Sequence, residues 1–256
     1  MDKASVGGVI LAIVGIVAGL LMEGGNLGQI LQPTAALIVF GGTMGAVLLQ
    51  FPLTTVVAAF GGLAHIFTAP QKQDHQLVGQ LVGFANKARR QGVVSLDTDL
   101  RAINDPFLKQ TLMLAVDGTE PAELRKIMHV NLDSALEREE RLPAVFESAG
   151  GFSPTIGILG AVLGLIQVMQ HLDNISEVGR GIAVAFVATI YGVGIANLFF
   201  LPFAGKMRIR IRDEQRRREM MLEGIIGILE GMNPRMLQLK LASFTDEVSP
   251  GKKENA

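Results

Sequence analysis

The residue types that most often carry catalysis or metal binding are few in this sequence and poorly spaced for either task. Cysteine is absent, and the histidines show no paired spacing of metal ligands. The four histidines are His65, His75, His129 and His171. No nucleophile motif or phosphate-binding loop is present, and the fragments GRGIAV and YGVG do not follow a predicted strand as a dinucleotide fingerprint would. We therefore expect no enzyme, no metal site and no bound cofactor.

Four long apolar runs account for much of the chain, which has 256 residues, 49% of them hydrophobic and 18% charged. Each run approaches the ~20 residues that a helix needs to cross ~30 Å of hydrocarbon. The runs cover residues 4–22, 34–51, 154–170 and 182–204. The first could be a cleaved signal peptide, but its MDK start lacks a basic excess and LMEGGN lacks a cleavage site, so we expect a retained helix.

The basic residues predict how the chain is oriented and divided. Residues 61–150 hold 10 of the 23 lysines and arginines, and residues 205–256 hold 11. The positive-inside rule then places both segments and both termini in the cytoplasm. We predict a first transmembrane hairpin, a cytoplasmic helical domain, a second transmembrane hairpin, and a cytoplasmic C-terminal helix with its tail. Their bounds are 1–60, 61–150, 151–204 and 205–256.

Helical periodicity runs through the segments between and after the hairpins, and no alternating strand pattern appears. DHQLVGQLVGFANKARRQG predicts a helix that ends at Gly92, and DPFLKQTLMLAVDG predicts a second that also stops at a glycine. A third helix has Thr119 as its cap and Pro121 in its first turn, and Pro143 ends or kinks it. After the fourth run a basic helix is terminated by Pro234, and a polar tail follows after about residue 245. The fold class is all-α: a polytopic membrane protein with four transmembrane helices and a helical cytoplasmic domain.

The apolar runs contain no Asp, Glu, Lys or Arg, which limits what they can transport. A charge at the bilayer midplane costs at least ~2.5–3.5 kcal/mol, so conduction needs a charged or strongly polar group in the path. The polar residues of the runs are Thr34, Thr43, Gln50, Thr155, Gln167, Thr189, Tyr191 and Asn197. If this chain takes part in conduction, the titrating carboxylate comes from another polypeptide. The net charge of -1 gives no reason to expect nucleic acid.

Glycines give two of the apolar runs a smooth face. Gly157, Gly160 and Gly164 are spaced i, i+3 and i+7 in the third run, and Gly192 and Gly194 lie in the fourth. Small residues let helix backbones approach closely in lipid. Two interpretations stay open: these glycines pack the helices of one chain together, or they form a wall against which a partner helix sits or slides.

Three motifs resemble one family. SPTIGILGAVLGL and GIAVAFVATIYGVGIANLFFLP are similar to the third and fourth spans of the MotA/PomA flagellar stator subunits, and ARRQGVVSLDTDL resembles the charged motif of their cytoplasmic domain. The motifs occur in the family's order, and the resemblance covers roughly residues 1–240. It implies a bacterial inner-membrane protein in which five copies surround two copies of a MotB-like single-span protein. The partner's membrane aspartate would carry the ion, which accounts for the carboxylate that this chain lacks.

The resemblance also implies roles for the charged motif. Arg89 matches the family's basic residue for contact with the flagellar rotor switch protein, and Arg90 is a further candidate. Asp97 stands where the family usually has glutamate, so the charge is kept on a side chain one methylene shorter. Without the resemblance, the two arginines are also explained as positive-inside residues and Asp97 as a turn acid.

Further matches lie along the predicted ion path. Pro154 matches the proline at the cytoplasmic start of the third span, although the first position of a helix explains it equally well. Pro234 matches a second family proline in the cytoplasmic tail. Thr189 matches the threonine that faces the ion site, and the alternative is a hydroxyl bonded to the carbonyl four residues earlier. Sodium-driven members tend to carry a second threonine where this chain has Ala161, which favours protons over sodium as the transported ion.

Two other functions compete with a flagellar stator. One is an ExbB/TolQ-like subunit that energises an envelope process, against which the two spans before the cytoplasmic domain argue, since that branch has one. The other is a passive membrane scaffold without conductance. Co-purification of a single-span protein that bears a membrane aspartate and a periplasmic wall-binding domain would distinguish them.

Overall fold

The computed structural model describes residues 2–68 and 74–245, and these residues form helices joined by short connections, with no β-strand among them. The all-α class predicted from the sequence is confirmed. In chain order the helices are α1 (Lys3–Met22), α2 (Leu27–Ile30), α3 (Pro33–Gln50), α4 (Leu53–Ile66), α5 (Asp74–Gln91), α6 (Pro106–Val116), α7 (Pro121–Gln170), α8 (Ile175–Leu229) and α9 (Pro234–Ala242). A 3₁₀ helix, Val93–Ala102, lies between α5 and α6. The polar tail predicted after residue 245 and the side chain of His65 lie outside the described residues.

Within residues 2–68 and 74–245, four helices are long and apolar enough to cross a membrane, as the four apolar runs predict: α1, α3, α7 and α8. Two of them contain a wider π turn, Leu37–Gly41 in α3 and Ala196–Phe200 in α8. The second of these turns ends two residues before Pro202, whose ring nitrogen has no hydrogen to donate to the carbonyl of Leu198. A π turn next to a proline is one of the known ways in which a helix absorbs that loss.

Prolines end fewer helices than the sequence predicts. Pro143 and Pro154 both lie inside α7, which continues without interruption, so Pro143 is not a helix end and Pro154 is not a first helical position. An interior proline costs ~3 kcal/mol in an isolated helix. The packing of neighbouring residues offsets that cost here, since Val145 and Phe146 after the first proline and Ser153 before the second are almost fully buried.

Pro234 begins a helix and does not terminate one. The preceding helix, α8, ends at Leu229, and Gly231 then adopts a left-handed backbone with φ of 71°. The side chain of Asn233 accepts a hydrogen bond from the N–H of Arg235 and caps α9, whose first residue is Pro234. Proline suits that position because its missing N–H would be unpaired there in any case.

The described chain forms two compact units. The membrane unit comprises the described residues of Met1–Pro70 and Glu139–Ile209, and the second unit comprises those of Gln71–Arg138 and Arg210–Ala256. Two of the helices, α7 and α8, contribute residues to both.

The core of the membrane unit lies where α4, α7 and α8 meet. The apolar pattern alone does not separate α4 from α3; the two helices are divided at Phe51, whose backbone is extended, and Pro52. The ring of Phe146 on α7 packs edge-on against Phe60 of α4 at a centroid distance of 5.2 Å and against Phe203 of α8 at 6.3 Å. This aromatic cluster fixes the three helices at one end of the unit.

The second unit has an apolar core of its own. Leu81 of α5, Leu112 of α6 and Ile225 of α8 are fully buried in it. The predicted glycine stops are observed: Gly92 follows α5 with φ of 82°, and Gly118 follows α6 with φ of 86°. The core therefore holds α5 by one face, as its helical periodicity predicts.

Candidate functional site

The glycines of α7 and α8 meet each other across a close helix crossing. A Cβ built on Gly192 would lie 2.5 Å from the carbonyl oxygen of Ser153 and 3.0 Å from the Cα of Gly157. A Cβ on Gly157 would lie 2.8 Å from the carbonyl oxygen of Ala188. No side chain fits at either position, so the two backbones touch directly.

The same crossing continues further along both helices. A Cβ on Gly164 would lie 2.8 Å from the carbonyl oxygen of Gly181 and 2.9 Å from the nitrogen of Ala185. A Cβ on Gly160 would lie 2.8 Å from the Cβ of Ala188. Residue numbers rise on α7 as they fall on α8, so the helices are antiparallel. Gly181 was not among the predicted glycines, although its spacing from Ala185 and Ala188 is a signal in the sequence for this contact.

Four of the five predicted glycines therefore pack the helices of one chain together, which is the first of the two interpretations that the sequence left open. Gly194 differs, because a Cβ built on it would meet nothing within 4 Å. It lies on the side of α8 that faces away from α7, two residues after the Gly192 contact.

One flank of this helix pair is covered by α3. A Cβ on Gly42 of α3 would lie 2.8 Å from the side chain of Ile156, the residue immediately before Gly157. On α8, Val187 and Ala188 pack with Ala35 of α3. The hydroxyl of Tyr191 also donates to the carbonyl of Ile30, at the entry to α3. These contacts tie α3 to the pair along one side.

The opposite flank carries two residues of the predicted ion path. Gly160 of α7 contacts Ala188 of α8, and Ala161 and Thr189 are the residues that come next in each helix. A helix turns by about 100° per residue. Because the two helices are antiparallel, this turn brings Ala161 and Thr189 to the same flank of the pair and to the same depth. Pro154 lies toward this flank as well, three residues before Gly157.

This flank is apolar and uncovered by the described chain. Ile158, Phe186 and Val193 each follow a residue of the α7–α8 contact, and their side chains are 57%, 69% and 45% exposed. We call it the open flank. It contains no carboxylate, because the spans of α7 and α8 contain none.

The hydroxyl of Thr189 donates to the carbonyl oxygen of Ala185 at 3.2 Å, so the back-bonded alternative raised from the sequence is present. Its oxygen lone pairs remain available to accept a further hydrogen bond or to bind a cation. Ala161 has no such group. The open flank therefore has one hydroxyl at this depth.

Two buried hydroxyls lie beside the crossing of α3 and α7. Thr43 follows Gly42, and Ser153 lies one turn before Ile156; both are at most 1% exposed, and neither hydroxyl has a hydrogen-bond partner in the described structure. Thr43 is one of the polar residues of the apolar runs, whereas Ser153 lies just before the third run and was not predicted as a site residue.

The charged motif is held at the end of α5 in the second unit. Gly92 reverses the chain there, and the 3₁₀ helix Val93–Ala102 returns alongside. The ammonium of Lys87 binds the carboxylate of Asp99 at 2.7 Å and the hydroxyl of Thr98 at 2.8 Å. This pair fixes the 3₁₀ helix against α5.

The predicted rotor-contact residues lie between the members of that pair in sequence. Arg89, Arg90 and Asp97 are exposed, and none has an ion-pair or hydrogen-bond partner within the described ranges. Two free cations and one free anion therefore face solvent at one turn. Elsewhere in the described chain no three His, Asp or Glu side chains form a group that would hold a metal ion.

The fold and this geometry define a class: a polytopic helical membrane protein with a carboxylate-free helix pair open on one flank and an exposed charged turn outside its spans. Two family models match the chain. Residues 99–220 match the MotA/TolQ/ExbB proton channel family, and residues 6–92 match the Motility protein A N-terminal region.

Known proteins match this chain over almost its full length. Motility protein A of Bacillus subtilis is 35% identical over 95% of this chain and 91% of its own length. The solved structure of C. jejuni MotAB is 31% identical, covers 98% of both chains and superposes with a TM-score of 0.91. The flagellar MotAB stator complex from Bacillus subtilis is 35% identical over 94% of both chains, with a TM-score of 0.86. The chain belongs to the MotA/TolQ/ExbB proton channel family, in its Motility protein A branch.

Proposed function

We propose that this chain is the subunit without the aspartate in a proton-driven stator, and that it passes torque to the flagellar rotor. As a Motility protein A homologue, it is a flagellar stator subunit. The observation that carries the proposal is the open flank, where Ala161 and Thr189 lie at one depth on a carboxylate-free helix pair. Such a flank can complete an ion path once a partner supplies the titrating group.

The partner is a MotB-like single-span helix that packs on the open flank. An apolar surface with Ile158, Phe186 and Val193 exposed suits a transmembrane helix, and α3 covers the other side. A ring of five copies around two partner helices would turn every open flank inward. The partner helix therefore packs on the flank beside the four packed glycines and does not contact those glycines themselves.

Protons are the proposed ion, with sodium as the less favoured alternative. A sodium site needs several oxygen ligands, whereas protonating a carboxylate needs only access for water. The open flank offers the hydroxyl of Thr189 and a methyl group at Ala161. When the partner's aspartate is protonated, the cost of moving it along an apolar flank falls, and the ring can step.

The charged turn of the second unit transmits torque to the rotor. With both termini and this unit in the cytoplasm of a bacterial inner membrane, Arg89, Arg90 and Asp97 would face the rotor switch protein. Their charges have no partner within the described chain, so they are available for complementary charges on another protein.

The two prolines of the predicted path act on helix geometry. Pro154 leaves the carbonyl of Gly150 without its N–H partner in α7 and gives that helix a point of bending. Pro234 orients α9 at the end of α8.

The competing functions are less well supported. An ExbB/TolQ-like role would share the matched region 99–220, but residues 6–92 match a model of Motility protein A. A passive scaffold would not require an open flank with a hydroxyl at mid-depth.

Co-purification tests the proposal directly. The chain is expressed with a single-span partner bearing a membrane aspartate, and the retained partner is quantified together with swimming. Ile158→Trp on the open flank should reduce both, because the larger side chain blocks the partner helix. Leu37→Trp, at an even more exposed site on α3, is the control and should change neither. Equal retention of the partner by the two variants would contradict the proposal.

A further inference from the structure

A groove in the membrane unit separates α1 from the helices beside it. It has a volume of about 400 Å³ and is lined by one stripe of α1, by the last turn of α4 and by α8 around Pro202 and Phe203. The stripe consists of Ala4, Gly8 and Ala12, spaced four residues apart. This volume lies within the range of ~300–1,000 Å³ that is usual for sites of small organic molecules.

The groove exists because α1 is not packed closely against its own chain. None of its residues is buried. A Cβ built on Gly8 would meet nothing within 4 Å, although small residues at these positions would permit backbone contact. The space beside the stripe is therefore left for another molecule.

One end of the groove is polar and well ordered by hydrogen bonds. The carboxylate of Asp2 binds the ammonium of Lys206 at 2.6 Å and accepts from the hydroxyl of Ser5 at 3.1 Å. The N–H of Asp2 donates to the carbonyl of Phe67 at the end of α4. The hydrogen bond from Lys206 lowers the pKa of Asp2 to about 2, so this carboxyl group is ionised at neutral pH.

The charges at this end leave one ammonium in excess. Asp2 balances Lys206, while Lys3 is exposed and has no ion-pair partner in the described part of the chain. A further ion pair of this unit, Arg208 with Glu147 at 2.5 Å, is neutral as a whole. The groove is thus mostly apolar along its length, with Asn197 of α8 as a further polar residue in its wall, and it is positive at its mouth.

We propose that this groove binds one acyl chain of an anionic phospholipid, whose headgroup lies beside Lys3 and Lys206. The lipid comes from the leaflet that faces the chain termini. That leaflet is the cytoplasmic one in the orientation given under the proposed function, and this is the only point at which the inference rests on it. Cytoplasmic leaflets are rich in anionic lipids, which attract basic residues at the membrane surface.

The shape of the groove suits a hydrocarbon chain. The stripe from Ala4 to Ala12 is about 12 Å long, and the volume of about 400 Å³ follows that length. A hydrocarbon chain is a single file of methylene groups and fits a narrow apolar channel. The polar mouth then accommodates the lipid's phosphate.

Photolabelling of the intact stator complex tests the inference. The complex is reconstituted in phosphatidylglycerol or phosphatidylcholine vesicles that contain a trace of the same lipid with a diazirine on its acyl chain. We expect labelled peptides at residues 4–12 and 197–206, with phosphatidylglycerol labelling about fivefold stronger, since each basic residue near an anionic surface contributes about that factor. Lys3→Gln should remove most of this preference.

Adjacent glycines supply a matched pair of variants. Gly8→Leu fills the groove and should abolish the labelling, whereas Gly7→Leu adds the same side chain at a neighbouring site with no atom within 4 Å and should leave it intact. Equal labelling of the two variants overturns the inference.

Cross-linking tests whether a second copy of the chain occupies the groove instead. Because the chain has no cysteine, Gly8→Cys introduces a single thiol there, and disulfide-linked dimers in high yield would overturn the inference. Labelling does not depend on torque, so this result and a failure of the proposed function remain distinguishable.

Discussion

Gly157 and Gly192 face each other where α7 crosses α8, so closely that a Cβ on the first would lie 3.1 Å from the Cα of the second. Helices meet at such short range only where both backbones lack side chains. The contact sets the depth and the side on which every neighbouring residue emerges, including Ala161 and Thr189.

Gly192→Ala should destabilise the membrane unit, because the new Cβ would lie 2.5 Å from the carbonyl oxygen of Ser153. Forcing a methyl group into a packed crossing typically costs ~1–3 kcal/mol. Thermal unfolding of the purified complex in detergent, followed by circular dichroism, measures the loss. Gly194→Ala is the control: its Cβ meets nothing within 4 Å, and alanine is the better helix former, so its midpoint should stay the same or rise. Equal midpoints for both variants would contradict the contact described here.

Arg89→Asp should impair torque without disturbing assembly, because Arg89 is exposed and has no partner within the described residues. Reversing a charge at a surface that recognises charge replaces an attraction by a repulsion. Tethered-cell rotation measures torque, and size-exclusion chromatography measures assembly. Lys109→Asp makes the same charge change at another exposed site and should keep normal torque. Unchanged rotation in the Arg89 variant would remove this residue from the rotor surface.

Lys87→Asp should slow swimming because it shifts the charged turn away from its position. It breaks the pair with Asp99 that holds the 3₁₀ helix against α5. Since both side chains are about one-third exposed, the pair itself contributes no more than ~1 kcal/mol. The double variant with Asp99→Lys restores an opposite-charge pair and should recover most of the speed. No recovery would mean that Lys87 acts on the rotor directly.

Lowering the pH should destabilise the second unit, because Glu223 then becomes protonated. Burial raises the pKa of this carboxyl, but hydrogen bonds from Lys240, at 2.6 Å, and from Arg125 outweigh burial and hold the pKa below the ordinary value of 4.5. The associated stability is fully present above pH 4.5 and is lost as the pH falls through the lowered pKa. Urea unfolding between pH 7 and pH 3 should show a steeper loss for the natural chain than for Glu223→Gln. Glu123→Gln, at an exposed site paired at 3.6 Å with Lys126, should follow the natural chain; a Glu223→Gln curve of the same slope would contradict the prediction.

Swimming should persist when sodium is replaced by potassium and should stop when a protonophore is added. The reason is the single hydroxyl of Thr189 opposite the methyl group of Ala161, which leaves a sodium ion short of oxygen ligands on this chain. Swimming speed in the two media measures the dependence. Loss of swimming on sodium removal alone would show that the partner completes a sodium site.

Much of the fold could be predicted because it depends on local composition. The four apolar runs became four helices long enough to span a membrane, and the glycine stops of α5 and α6 were found where the sequence placed them. The prolines were harder to interpret. Pro143 and Pro154 are accepted inside α7 because buried neighbours hold that helix on both sides, and local propensity does not include such packing.

The sequence by itself determined that the spans carry no carboxylate and that two of them are rich in glycine, since both are properties of composition. The tertiary structure decided which residues those glycines touch, which flank stays open, and that Lys87 pairs with Asp99 and Asp2 with Lys206. A helical period fixes the direction of a side chain relative to its own axis. The register and the side of a crossing depend on how distant segments pack, and spacing along one chain segment does not contain that information.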